Sequence, residues 1–464
     1  MAEGTPVRED AAATFARLIA GASHADLPAD AVESTKKCML DALGVILGAS
    51  GAVADSRALA ELVLDAGGKP ESTVIGFGGK VPAWMAALAN GGMGHSLDYD
   101  DIHTLVVVHP SACVVPAAFA MAERIGNVSG RELLTAVAYG IDMTSRLGLA
   151  IDWKEDWHLS PVFGTFGCAA AAGKLLKLDS TRMIDAFGIA LSQAGCTMEL
   201  NVGVGSNLRG AYPGFAAKAG VLSACMAHKG ITGPKNSLEG QCGLFAVHFR
   251  NEYRREALFE DLGRRFESTR IRFKPWPACT ITQAYIEATI GLCEAHDIRP
   301  EDVRHVKAYI GDFGVPLCEP LAGRRQPATT LDAKFSIPFT VAAAIARRNV
   351  VIADYTEEGL HNPVVLALAA RVTPVLCADM KKYADIYPAD IEIETVKGTY
   401  RRKVDEPYGH PKKPMSLQSL TDKFRDCAAY SATPLGQAKI ETAIAQISGI
   451  EKLDDAGAVM RSLC

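Results

Sequence analysis

His95, Asp98, Asp100, Asp101, His103 and His109 fall within fifteen residues of a 464-residue chain, in the stretch NGGMGHSLDYDDIHTLVVVHPS that begins at Asn90. Imidazoles and carboxylates at this density can move protons, orient an anion or hold a metal. Ala-rich apolar sequence flanks the stretch on both sides, and buried charge requires partners or a task, so the pattern reads as a site rather than a solvated face. Three further stretches carry reactive or anion-binding groups: Trp157-His158 ahead of an Ala/Gly-rich segment, Arg209-Gly-Ala-Tyr212-Pro-Gly214, and Lys274-Pro-Trp-Pro-Ala-Cys279. A guanidinium is the natural fork for a carboxylate, and an ammonium beside a stiff Pro-rich turn suits the same task.

The elements around these residues follow from local rules. A residue before proline is driven out of the helical region, so His109 should sit extended at the mouth of a helix that opens with Pro110 and Ser111. Backbone N–H groups at such a helix start can hold an anion, which makes Ser111 a candidate substrate contact. Helices are expected over 9–23, 30–48, 56–66, 82–90, 111–125, 130–149 (opened by the cap residue Ser129), 165–177, 180–194 and 211–229, with Gly164 and Gly167 opening the seventh. Ser72–Phe77 reads as a short strand. Near Arg270 the pattern changes. An extended Ile271–Phe273, a helix over 280–296, a strand at His305–Ile310, a helix over Asp332–Arg348 and a hairpin of Ile391–Thr395 and Thr399–Val404 turning at Lys397-Gly398 describe an α+β segment. Helices return at 416–429 and 436–448. The expected class is mainly α: a large all-helical domain formed by both chain ends (1–269 and 406–464) with an inserted, smaller α+β domain over 270–405.

Composition bounds the function. A net charge of −5 and the lack of a basic run argue against nucleic acid. The twelve cysteines contain no CxxC pair, which suits scattered reduced thiols and a cytoplasmic location rather than a disulfide framework or zinc ribbon. No apolar run is long enough for a membrane span, and the acidic N-terminus is unlike a secretory signal. The GxG in residues 201–207 lacks the rest of the dinucleotide pattern, and neither a P-loop nor a nucleophile elbow is present. The histidine and aspartate spacing from His95 to His109 matches no metal motif, so no metal is expected.

Several motifs in order resemble the MmgE/PrpD family: KKCMLDALGVILGA (36–49), GHSLDYDD with HPSACVVPA (94–117), WHLSPVFGTFGCAAAAGKLL (157–176), AAKAGVLSACMAHKGITGP (216–234), KPWPAC (274–279), DAKFSIPF (332–339) and GHPKKPMS (409–416). The resemblance implies a homodimer with no organic cofactor and no obligatory metal, and a polar cleft between a helical domain and a lid for a di- or tricarboxylic acid. It places active-site roles on Asp98, His109 and His158. Departures accompany it: Arg209 stands where relatives usually carry Lys, Tyr212 where many have His, Cys279 where decarboxylase-like members have His, and Gln283 where a downstream His is common. Arginine does not lose its proton at working pH, so Arg209 can clamp a carboxylate but not act as base. The expected activity is that of a hydro-lyase on a hydroxy acid of the 2-methylcitrate type. In that scheme Asp98 or His158 is the base, His109 the acid, Tyr212 a further catalytic group, and Arg209, Lys274, Ser111 and Cys279 hold the substrate. The alternatives are an isomerase or epimerase, a decarboxylase, and an inactive carboxylate-binding dimer.

Overall fold

The computed structural model describes residues 8–202, 208–383 and 386–464; most of the GxG stretch (203–207) lies outside them. The protein is mainly α with a small α+β region. Its contacts divide it into two units, one of residues 1–96, 100–271 and 417–464, the other of 97–99 and 272–416.

In the larger unit, the helices Ala83–Ser96, Pro110–Ile125, Gly130–Leu149, Leu159–Leu175 and Tyr212–His228 pack on one another. Their starts are written in the sequence. Pro110 occupies the first turn of its helix, and Ser129 and Glu132 form a reciprocal capping box that satisfies N–H groups left over at the helix start. Small residues set how closely the helices approach. A Cβ on Gly91 would lie 2.8 Å from Gly214 Cα, and one on Gly214 would lie 2.1 Å from the Leu88 carbonyl oxygen. Only glycines allow this crossing, which brings the end of the Ala83–Ser96 helix, with His95, against the start of the Tyr212–His228 helix. The C-terminal helix Leu417–Ala428 packs on Ala29–Ala52, where Lys423 Nζ meets Asp41 Oδ1 at 2.6 Å with both side chains buried.

The smaller unit is built on a four-stranded sheet in the order 372–376, 303–310, 389–395, 399–404. The Val303–Ile310 strand runs parallel to Val372–Leu376, with Val306 opposite Val372. It runs antiparallel to Ala389–Thr395, with Val306 opposite Ile393. The hairpin to Thr399–Val404 turns at Lys397-Gly398. Ile391, Ile393, Val306 and Ala308 join the helices Gln283–Ala295 and Ile337–Arg347 in one core.

Several expected boundaries differ. Only Ser72–Thr73 of the expected Ser72–Phe77 strand pairs, with Lys80–Val81; the chain turns immediately afterwards. The helix expected from residue 165 begins at Leu159, so Gly164 and Gly167 lie inside it. Pro161 falls in its first turn, where a missing N–H costs nothing. The helix expected over Asp332–Arg348 is two, Thr330–Lys334 and Ile337–Arg347, because Ser336 leaves the helix to cap the second one. The strand Val372–Leu376 and the helix Pro363–Ala369 are additional elements. Among the described residues no single helix is long and apolar enough to cross a membrane.

Candidate active site

Two histidines occupy equivalent positions in the larger unit. His109 precedes the Pro110–Ile125 helix and His158 precedes Leu159–Leu175. The partial positive charge of a helix start disfavours an added proton on a neighbouring imidazole. The hydroxyl of Ser160 accepts the His109 N–H at 3.0 Å and ties the two helix starts together.

Asp100 joins His109 to a third imidazole. Its Oδ1 lies 2.9 Å from His95 Nδ1, and its Oδ2 lies 3.0 Å from His109 Nδ1. His109 Nδ1 also faces the Asp101 carbonyl at 2.8 Å. The ring of His95 packs against His109 at 4.6 Å and Tyr212 at 4.7 Å, while Tyr212 lies 4.0 Å from His158, all between centroids. Burial alone would raise the Asp100 pKa, but the charges and hydrogen bonds of the two imidazoles hold it well below the usual carboxylate range. Tyr212 is fully buried. Burial and the Asp100 charge push its phenol well above its ordinary value, so it stays protonated.

His158 is held away from its ordinary protonation. Burial, reinforced by positive charge at His95, His109 and Arg209, lowers its pKa to about 2. It is therefore neutral and weakly basic at working pH, and its buried Nδ1 has no hydrogen-bond partner among the described residues. A folded-state value below the ordinary 6.5 means that the unfolded chain takes up the extra proton first. The stabilising contribution is therefore complete above pH 6.5 and is lost as pH falls below it. Denaturation of the wild type between pH 7 and pH 5 should show stability falling more steeply than in His158→Gln, by up to about 1.4 kcal/mol per pH unit. Parallel curves for the two proteins would contradict this.

In the smaller unit, the Lys274 ammonium donates to the Asp98 carbonyl at 2.9 Å and also to the Asp98 carboxylate, with both side chains buried. Asp98 holds a left-handed φ of 52°, a conformation that Asp tolerates better than most residues and that is often found where function constrains the chain. The neighbouring Tyr99 hydroxyl donates to the Pro275 carbonyl at 2.8 Å. Cys279 is buried, and its N–H donates to the Lys334 carbonyl. Gln283 donates through its amide to the carbonyls of Trp276 and Ala278 and so braces the Pro-rich turn. Tyr355 was not marked by the sequence. Burial and the charges of Asp354, Asp98 and Cys279 raise its pKa well above the ordinary value, and its hydroxyl is buried with no partner among the described residues.

Thus His109, His158, Tyr212 and Arg209 belong to one group in the larger unit, and Asp98, Lys274 and Cys279 to another in the smaller. The Ser111 hydroxyl, expected to touch substrate, shares a short hydrogen bond with Asp101, whose carboxyl is raised well above its usual range by burial and by the charge of Asp41. His103 leaves the cluster and pairs through Nε2 with buried Glu267 at 3.1 Å. Its Nδ1 accepts the Leu105 N–H, so this histidine braces the loop leading to His109. Asp100 and His95 were in view as members of the cluster, but nothing in their spacing marked them as partners. The donor atoms of His95, Asp100 and His109 lie within 4.8 Å of one another, the one such group among the described residues. All three take part in hydrogen bonds.

Profiles of the MmgE/PrpD N-terminal and C-terminal domains match residues 13–256 and 276–448. A cis-aconitate decarboxylase of Aspergillus terreus is 26% identical, covering 94% of this chain and 92% of its own length. The human cis-aconitate decarboxylase is 28% identical, covering 95% and 92%, and the mouse protein is 27% identical, covering 97% and 92%. These relatives correct the expected hydro-lyase assignment: they are named for the loss of carbon dioxide, not water.

Proposed function

The chain belongs to the MmgE/PrpD family, and from that membership and the geometry of its histidines we propose that it is a carboxy-lyase acting on a small unsaturated di- or tricarboxylic acid of the cis-aconitate kind. The observation that carries this reading is the suppressed basicity of His158, whose pKa burial and neighbouring positive charge push down to about 2. Asp98 is ion-paired with Lys274, and Asp100 is engaged by two imidazoles. A reaction that begins by abstracting a C–H proton and ends by protonating a leaving hydroxyl needs a competent base as well as an acid. Loss of carbon dioxide from an unsaturated acid needs one proton donor. The bond from the departing carboxylate to its carbon breaks, its electron pair forms a new double bond, and the existing double bond shifts toward a second carboxylate. The carbon that receives the electrons then takes a proton. Carbon dioxide leaves, and one proton is consumed.

His109 is assigned to deliver that proton from Nε2. Arg209 clamps a carboxylate through its planar fork. Tyr212, held as the neutral phenol, donates a hydrogen bond to developing negative charge in a water-poor site. Lys274, Tyr355 and Cys279 belong to the smaller unit and take no step in this scheme. The buried Tyr355 hydroxyl has no partner among the described residues and costs stability. Tyr355→Phe should therefore leave stability unchanged or raise it by about 1 kcal/mol. Thermal unfolding measures the effect, and a destabilised variant would contradict it.

The reading itself is tested by incubating the purified protein with cis-aconitate and with saturated hydroxy di- and tricarboxylates while trapping released carbon dioxide. Release from the unsaturated acid supports it. Water loss or stereochemical inversion without carbon dioxide would overturn it.

A further inference from the structure

The bridging carboxylate of Asp100 has a use that the residue roles above leave unassigned. His109 Nδ1 faces two oxygens, the Asp101 carbonyl at 2.8 Å and the Asp100 carboxylate at 3.0 Å. A carbonyl oxygen can only accept, and so can an ionised carboxylate. His109 Nδ1 must therefore carry the hydrogen, and in the neutral ring Nε2 is the bare nitrogen. His95 Nδ1 faces both oxygens of the same carboxylate, at 2.9 and 3.0 Å, and must also be a donor. One carboxylate accepts from two imidazoles by the same nitrogen, with all three side chains buried.

We propose that Asp100 is the positioning residue for the proton carried by His109, that with the Asp101 carbonyl it holds this ring as the Nδ1–H tautomer with Nε2 as the exchanging atom, and that His95 completes the array by locking the carboxylate in place. This deepens the reading of His109 as the proton donor and rests on it for its catalytic consequence. An amide is a poorer partner. With its oxygen kept toward His109, asparagine sets an NH₂ group where the carboxylate Oδ1 now accepts from His95 Nδ1 at 2.9 Å. In Asp100→Asn, the Asp101 carbonyl still holds His109 as the Nδ1–H tautomer, so His95 is the ring that must turn its proton to Nε2.

The test has two arms. Nitrogen-15 spectra of the histidine side chains in the wild type should show His109 and His95 both protonated at Nδ1 when neutral. In Asp100→Asn, His95 should change tautomer while His109 does not. This arm needs no substrate, so it stands or falls independently of the decarboxylase reading. In the second arm, Asp100→Asn should lower kcat about 10²-fold, the low end of what a positioned proton transfer contributes, with KM nearly unchanged. Asp100→Glu, which keeps two acceptor oxygens, should recover part of the loss. A wild-type His109 with its proton on Nε2, or an Asp100→Asn variant with unchanged tautomers and full kcat, would overturn the proposal. A bare loss of stability with the wild-type tautomer pattern and kcat would also overturn it and leave Asp100 a structural residue.

Discussion

His109→Gln should lower kcat by about two to four orders of magnitude while the protein stays folded. The expected size follows from the absence of a substitute: His158 is held neutral, Tyr212 is held as the phenol, and Asp100 is held as a paired carboxylate. None of these can store and release a proton near neutral pH. The fold should tolerate the change because a Gln amide can donate to the Asp101 carbonyl in place of Nδ1. The backbone bond from residue 109 to Ser160 is independent of the side chain. Single-turnover rates and a denaturation midpoint on the same preparation separate the two quantities. Turnover within a few-fold of wild type would remove His109 from the chemistry, and loss of fold would assign it a packing role.

Lys274→Met should be the most destabilising of the site substitutions, by about 3–5 kcal/mol, because it leaves the buried Asp98 carboxylate without its counter-ion. The ammonium makes two contacts with Asp98, one to the carbonyl and one to the carboxylate, and neither partner is open to water that could replace it. Neutralising both ends is a different experiment. The double variant Asp98→Asn/Lys274→Met removes the uncompensated charge and should regain most of the lost stability. Denaturation of the four proteins of the cycle gives the coupling directly. A single variant as stable as wild type, or a double variant no better than the single, would show that the pair is not the organising charge of its unit.

The sequence made the helices legible wherever apolar spacing and a cap coincided, as at Ser129 with Glu132 and at Pro110. The hairpin at Lys397-Gly398 was equally plain, since its turn chemistry is local. The strand Val372–Leu376 was not. Its partner is far upstream, and Pro374 in its middle argues against a strand until the sheet order shows that it lies at the edge, where a missing N–H is tolerated. The helix from Leu159 was misplaced because Gly164 and Gly167 read as an opening when they lie inside it, at a tight approach to neighbouring helices.

The site was legible in the same uneven way. His109 stood out by preceding a helix start, whereas the helix expected from residue 165 left His158 apart from the start at Leu159 that it precedes. Which of Asp98, Asp100 and Asp101 does what could not be read from their spacing. The left-handed turn at Asp98 sends three nearby carboxylates to three different partners: Lys274, a pair of imidazoles, and Ser111. Tyr355 carries no local signal at all, because its environment is set by burial and by the distant Asp98 and Cys279. The proposal of carbon dioxide loss in place of water loss rests on the relatives. The weak basicity of His158, which supports it, arises from burial and neighbouring charge that no motif displays.

The most direct measurement is the stoichiometry of one reaction run in D₂O with cis-aconitate: carbon dioxide released against deuterium fixed to carbon in the product. One carbon dioxide and one carbon-bound deuterium per molecule of acid consumed, with the deuterium lost from the burst of His109→Gln, is the predicted result. Deuterium exchange into the starting acid with no carbon dioxide evolved would contradict it.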